Sequence, residues 1–77
     1  MYVLTFYVAA TGRNGAIAGS SKRAVLASFE RLREGNPQEY AWALWEGMGR
    51  CDSHAWDEHA SAHADYYVSR WDFVEFV

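Results

Sequence analysis

The sequence predicts a single α+β domain over residues 1–77, with one long helix and a shorter second helix packed on an antiparallel sheet of three to four strands. Three observations lead to this prediction. Residues 2–9 alternate in the manner of a strand, and residues 22–34 repeat apolar side chains at helical spacing. Residues 66–77 are dense in aromatic and β-branched residues, which favour strands.

The first strand is predicted over residues 2–9, because alternate side chains would line its two faces and most of them favour strands. The segment TGRNG at 11–15 predicts a turn, since an Asn-Gly pair tolerates positive φ. Residues 16–18 then predict a brief return of the chain as an edge strand.

The long helix is predicted over residues 22–34. Either Ser20 or Ser21 can act as its N-cap, and the Gly-Asn-Pro sequence at 35–37 ends it. One face of this helix is apolar and would lie on the sheet. That face is formed by Val25, Phe29 and Leu32.

Residues 37–48 fit either of two elements. Asn36, Pro37 and Glu39 resemble the start of a helix with a capping box. As a strand, the segment would place Tyr40, Trp42 and Leu44 on one face and then turn at the glycines of 47–49. The strand is favoured because a strand–helix–strand unit covers the first helix compactly.

The C-terminal third predicts a short helix over residues 54–65, capped by Asp52 or Ser53, and then a strand within 66–77. Both faces of that strand are partly apolar, which favours an interior position in the sheet. The expected core between the long helix and the sheet consists of Phe6, Phe29, Leu32 and Trp71.

Charge is distributed unevenly along the chain. Residues 1–33 contain five basic residues and one glutamate, whereas residues 34–77 contain nine carboxylates, two arginines and all four tryptophans. The asymmetry either survives folding as two surfaces, which favours a polar partner, or is averaged out when the two halves interleave. No basic residue precedes the apolar N-terminus, so we expect a soluble cytosolic protein, complete in itself, without a signal peptide.

The only cysteine and all three histidines fall within the segment CDSHAWDEHASAH at 51–63: Cys51, His54, His59 and His63. His59 and His63 are four residues apart and would share one helical face, as a metal-binding pair does. The spacing matches no structural zinc pattern, however, and a second pair of ligands is missing. We therefore expect no metal and no cofactor, and we expect the histidines to be ordinary packed or solvated side chains.

Enzymatic and nucleotide-binding functions are disfavoured. A catalytic Cys51 would need an activating histidine and an orienting carboxylate in a defined geometry, which proximity in sequence does not provide. A domain of this size is also expected to have little room for a substrate cleft of ~300 Å³ or more. The glycine-rich segment at 11–23 lacks the spacing of a phosphate-binding loop.

The remaining function is protein binding. A net charge of −3 disfavours direct contact with nucleic acid, but an acidic face could dock on a basic surface that normally holds nucleic acid. Small, acidic, aromatic-rich inhibitors of this kind include phage-encoded anti-CRISPR and anti-restriction proteins, a comparison that rests on size and composition. The alternative is a small metal-binding or regulatory domain that uses the histidine cluster. The candidate partner-binding residues are Asp52, Asp57, Glu58, Asp65 and Asp72, with Glu75 beside them. We expect Asp57 and Glu58 to be exposed.

Overall fold

The computed structural model describes residues 1–67 and 70–77 and shows an α+β fold, as the sequence predicts. Within these residues the elements are β1 (Tyr2–Val8), β2 (Arg13–Gly19), α1 (Lys22–Gly35), β3 (Ala41–Glu46), β4 (Gly49–His54), α2 (Glu58–Ala64) and β5 (Phe73–Phe76). The strands form one sheet in the order β4-β3-β1-β2-β5. The β2–β5 pair is parallel and the other neighbouring pairs are antiparallel. The prediction of three to four antiparallel strands is thus wrong in the number of strands and in the direction of the last one.

The two helices cover opposite faces of the sheet. Side chains of β1 alternate between the faces: Leu4, Phe6 and Val8 join Val25 and Phe29 of α1 in one core cluster. Tyr7 packs instead with Ala60 and Ala64 of α2. Phe6, Phe29 and Leu32 pack together as predicted. Trp71 does not join them, because it lies on the α2 face with Val3, Ala16, Ala18 and Trp45.

The β2 strand corrects two predictions. The turn lies at residues 9–12, where Gly12 has φ of 74°, so Asn14 and Gly15 belong to the strand and not to the predicted turn at 11–15. The predicted short edge strand at 16–18 is a seven-residue strand between β1 and β5. Small residues are required there, because a Cβ on Gly15 would lie 2.5 Å from the ring of Phe6.

The long helix is confirmed and the second helix is shorter than predicted. The Ser21 hydroxyl caps α1 by accepting the N–H of Ala24 at 3.2 Å. The N-cap of α2 is Asp57, not Asp52 or Ser53, and the helix begins at Glu58. Residues 49–54 form β4 instead, since pairing with β3 satisfies their backbone groups. At 14 residues α1 is the longest helix in the described chain, and no helix there is long and apolar enough to cross a membrane.

The strand favoured for residues 37–48 is confirmed by β3, which spans Ala41–Glu46, whereas the interior strand predicted within 66–77 is wrong. Of the residues described in this segment, only Phe73–Phe76 form a strand, and it is an edge strand. The part of the prediction at residues 68–69 lies outside the described residues. The aromatic density has another cause: Tyr66 and Trp71 are packed against the α2 face of the sheet.

Candidate functional site

A tyrosine and two histidines form a compact group where α2 crosses β1. Tyr7 is almost fully buried, at 5% exposure. Its hydroxyl lies 2.9 Å from Nε2 of His59. The ring of His63 lies 4.4 Å from that of His59 and 5.4 Å from that of Tyr7, measured between centroids. A buried tyrosine normally finds a partner for its hydroxyl, and the first turn of α2 supplies it here.

The orientation of His63 is set by its own helix and by β2. Its Nδ1 lies 2.8 Å from the carbonyl oxygen of His59 and donates to it, because a carbonyl only accepts. The backbone carbonyl of His63 accepts from Nδ2 of Asn14. Asn14 and Asp72 also form two hydrogen bonds. The backbone N–H of Asn14 donates to the Asp72 carboxylate at 3.1 Å, and the backbone N–H of Asp72 donates to Oδ1 of Asn14 at 2.9 Å. Asn14 therefore joins the end of α2, the start of β5 and β2.

The other two members of the predicted cluster lie on β4. His54 ends that strand, and its ring stacks on Trp42 with centroids 6.4 Å apart. Cys51 lies mid-strand, is exposed, and directs its thiol to the carbonyl of Leu44 at 3.4 Å. Folding thus brings His59 and His63 together with Tyr7 and leaves Cys51 outside the group. Among residues 1–67 and 70–77, no three His, Cys, Asp or Glu side chains are arranged to hold one metal ion.

An open cleft of about 450 Å³ adjoins the Tyr7–His59 pair. The expectation that this domain has little room for a cleft is therefore wrong. The cleft lies between the ends of several elements and not inside the core. Apart from Tyr7 and Tyr40, its charged and titratable lining residues are Arg33, Glu39, His54, Asp57 and His59. The Tyr7 hydroxyl and the His59 imidazole share a hydrogen bond beside this cleft, but the thiol of Cys51 is not among the lining groups.

Sequence reasoning missed Tyr7, Arg33 and Glu39 as cleft residues. The hydroxyl of Tyr7 was the one available signal, because a tyrosine at a strand position between apolar neighbours needs a polar partner. Arg33 has two other contacts, an ion pair with Glu30 and a position 4.5 Å above the ring centre of Phe29. Neither contact can be read from the sequence as part of a cleft.

Three of the five candidate carboxylates belong to α2 and its caps: Glu58 is in the first turn, and Asp57 and Asp65 are the caps. Asp72 accepts from the backbone N–H of Asn14 opposite it on β2 and lines a hollow with Phe6 and Leu32 of the α1 core. Asp52 lies on the α1 side, because it pairs directly with Leu44, whose side chain belongs to the α1 core. The set predicted from sequence is therefore split between the two faces.

Four of the five carboxylates accept hydrogen bonds, among them Asp52 from the N–H of Ser53 at 2.8 Å and Asp72 from the N–H of Asn14 at 3.1 Å. Asp57 is exposed as predicted, but its Oδ1 accepts the N–H of Ala60 at 2.8 Å and starts α2. Asp65 accepts from the N–H of Tyr67 at 2.8 Å and from the hydroxyl of Ser61 at 3.2 Å. Their charges are consequently fixed in position. Glu58 is exposed and caps neither end of the helix.

The charge asymmetry of the sequence is retained between the two helices. α1 carries four basic residues and two glutamates. α2 with its two caps carries three carboxylates and neither lysine nor arginine. The helices lie on opposite faces of the sheet, so this difference between them is a difference between the two faces. The strands of the two halves interleave, however, and Asp52 and Glu75 of the acidic half lie on the α1 side.

One tyrosine has a perturbed pKa. Tyr2 on β1 lies directly opposite Glu46 on β3. The negative charge of Glu46 raises the pKa of the Tyr2 phenol above its usual 10.0, with smaller contributions from burial, from a hydrogen bond to Glu46 and from Cys51. The charge of Glu46 therefore favours the protonated form of the Tyr2 phenol, at the end of the sheet where β1 begins.

Comparison of the chain with protein-family models, with curated proteins and with solved structures gives no significant match. The site is therefore interpreted from its own geometry.

Proposed function

We propose that the protein is a protein-binding module, an inhibitor or adaptor, that docks its α2 face on a basic surface of a partner. The observation that supports this proposal is the difference in charge between the helical layers. α2 and its caps present three carboxylates without a lysine or arginine among them. Complementary charge of this kind accelerates association and selects the partner.

The partner we propose is a nucleic-acid-handling complex, because such a complex carries a basic surface that holds phosphates. An inhibitor of the anti-CRISPR or anti-restriction type would occupy that surface in place of the nucleic acid. Asp57 and Asp65 are suited to this role, since hydrogen bonds already hold their carboxylates. Little side-chain entropy is then lost when the surface is covered.

The test compares two equal charge reversals on opposite layers. Glu58→Lys changes the α2 face, and Glu34→Lys makes the same change on α1 at another exposed helical glutamate. Asp57 is unsuitable because its replacement would remove the cap of α2. Arg33 is unsuitable because it contacts Glu30 and Phe29.

Tagged wild-type and variant proteins are used to capture partners from a bacterial lysate, and the captured proteins are quantified by mass spectrometry. A specific partner is retained by wild type and by Glu34→Lys and is reduced with Glu58→Lys. With that partner purified, Glu58→Lys should slow association about tenfold at low salt, and the difference should shrink at high salt. The partner's nucleic acid should compete with the protein for binding.

Equal effects of the two reversals, or an association rate that ignores salt, would refute the docking of the α2 face. Simultaneous binding of nucleic acid and protein would refute the proposed class of partner while leaving the protein-binding role in place.

A further inference from the structure

The β5 strand is an edge of the sheet with unusual exposure of apolar side chains. Val74 is 46% exposed and Phe76 is 77% exposed. The opposite edge, β4, instead exposes polar and charged residues such as Arg50 and Asp52. Charged side chains are a common protection of sheet edges against added strands. The charged side chains of β4 protect its edge in this way, whereas β5 carries a single charged residue, Glu75.

The backbone of β5 has hydrogen-bonding groups directed away from the sheet. Val77 donates its N–H to the carbonyl of Ala18 at 2.8 Å. In a parallel pair, every second residue of a strand directs both its N–H and its C=O group toward the neighbouring strand. Val74 and Phe76 therefore direct their N–H and C=O groups to the outer side, where the part of the chain that the structure describes supplies no neighbouring strand.

A hollow of about 320 Å³ lies beside β5 on the α1 side. Its apolar walls include Ile17, Leu32 and Phe73, and its polar rim carries Ser28, Arg31 and Glu75. The Glu75 carboxylate accepts from the hydroxyl of Ser28, which holds it near α1. An added strand would therefore find space for a side chain on this face and apolar contacts with Val74 and Phe76 on the other.

We propose that the β5 edge accepts an extended segment of the basic partner as a sixth strand. This inference rests on the proposed function and names how the partner is held. Main-chain hydrogen bonds would form to Val74 and Phe76, and a lysine or arginine of the partner would lie opposite Glu75. The edge is continuous with the acidic face, since Asn14 ties the start of β5 to the end of α2.

A second copy of the chain is a poorer occupant. In an antiparallel pair of two β5 strands centred on Glu75, the two Glu75 carboxylates would lie directly opposite each other. Like charges in that position are destabilising. A basic residue from a partner removes this repulsion and adds an ion pair.

The first test uses hydrogen exchange of backbone amides followed by NMR. In the protein alone, the amides of Val74 and Phe76 should exchange fast, and that of Val77 should be protected by Ala18. The probe is a short blocked peptide of alternating valine and lysine. Its addition should protect Val74 and Phe76 and leave Val77 unchanged. Protection of those two amides without peptide, in step with self-association, would overturn the proposal in favour of a second copy.

Two pairs of variants identify the contacts. Val74→Pro removes the outward N–H and should weaken peptide binding about tenfold, whereas Val74→Ala keeps the N–H and should weaken it about twofold. Protection of the Val77 amide in Val74→Pro shows that β5 remains paired. Glu75→Gln keeps an acceptor for Ser28 and should weaken the lysine peptide about threefold, with no change for a peptide carrying glutamine in place of lysine. Equal effects of Val74→Pro and Val74→Ala would overturn strand addition, and equal binding of the two peptides would overturn the basic occupant.

Failure of this inference and failure of the proposed function give different results. If capture of the cellular partner depends on Glu58 but β5 stays unprotected in the complex, strand addition is wrong and the docking of α2 stands. If the peptide protects β5 while capture ignores Glu58→Lys, the docking of α2 is wrong and strand addition stands.

Discussion

Replacement of Asn14 by alanine tests the contact that positions α2 and β5. Asn14 is 7% exposed. Its side chain donates to the carbonyl of His63 and accepts the N–H of Asp72 at 2.9 Å. Asn14→Ala removes both bonds but keeps the backbone N–H that donates to the Asp72 carboxylate at 3.1 Å. The variant therefore tests the contribution of the amide side chain and keeps the backbone pairing of β2.

The expected loss of stability follows from these two bonds. Each is worth about 1 kcal/mol net, and each partner left unpaired at a half-buried position adds up to about 1 kcal/mol. The free energy of unfolding should fall by about 2–4 kcal/mol. For a domain of this size that corresponds to a melting temperature lower by roughly 10–25 °C.

The assay is thermal and urea unfolding followed by circular dichroism and tryptophan fluorescence. Asn36→Ala is the matched control, because it removes an exposed asparagine bond to Leu32 at 3.3 Å and should cost less than about 0.5 kcal/mol. Hydrogen exchange should show the largest loss of protection in α2 and β5. Equal melting of Asn14→Ala and Asn36→Ala, or loss of protection confined to β1, would refute the role assigned to Asn14.

Three further predictions concern the core, pH and metal. Phe29→Ala should cost about 3–5 kcal/mol, since Phe29 is 1% exposed in the α1 core; circular dichroism showing melting within a few degrees of the parent would contradict this assignment. Because Glu46 raises the pKa of Tyr2 in the folded protein, the Tyr2–Glu46 pair stabilises the fold fully below about pH 10. That stabilisation is lost as pH rises through the raised pKa. The pKa of Tyr2 is measured from tyrosinate absorbance, as the difference between titrations of the parent and of Tyr2→Phe. That pKa should be lower in Glu46→Gln. Elemental analysis should find no stoichiometric zinc, nickel or iron, and chelator should not change the melting temperature. One metal per chain that is lost in His59→Ala/His63→Ala would reverse that expectation.

The local elements follow from the sequence because their determinants are near neighbours. The alternation of β1 needs only adjacent residues, and α1 is specified by its apolar spacing and by the Ser21 cap. The strand at 41–46 also follows, although a capping pattern competes with it. The charge difference between the halves of the chain was visible as well, but which charges share a face of the sheet depends on the strand order.

Contacts between distant parts of the chain were decided by the tertiary structure. A period of two shows that side chains alternate between faces, but not which helix or aromatic residue covers each face. Trp71 consequently lies on the α2 face and not beside Phe29. Tyr7 and His59 are 52 positions apart and meet only because α2 crosses β1.

The β2 and β5 strands show the same dependence on long-range packing. Gly15 signals a turn by local propensity, yet its missing side chain makes room for the ring of Phe6 within the sheet. The aromatic C-terminal segment suggests an interior strand. In the structure, Asn14 bonds Asp72 just before β5, and β5 pairs in parallel with β2 as the last strand of the sheet. Strand order and direction depend on which backbone groups remain to be paired after the local elements have formed, and that is a property of the assembled sheet.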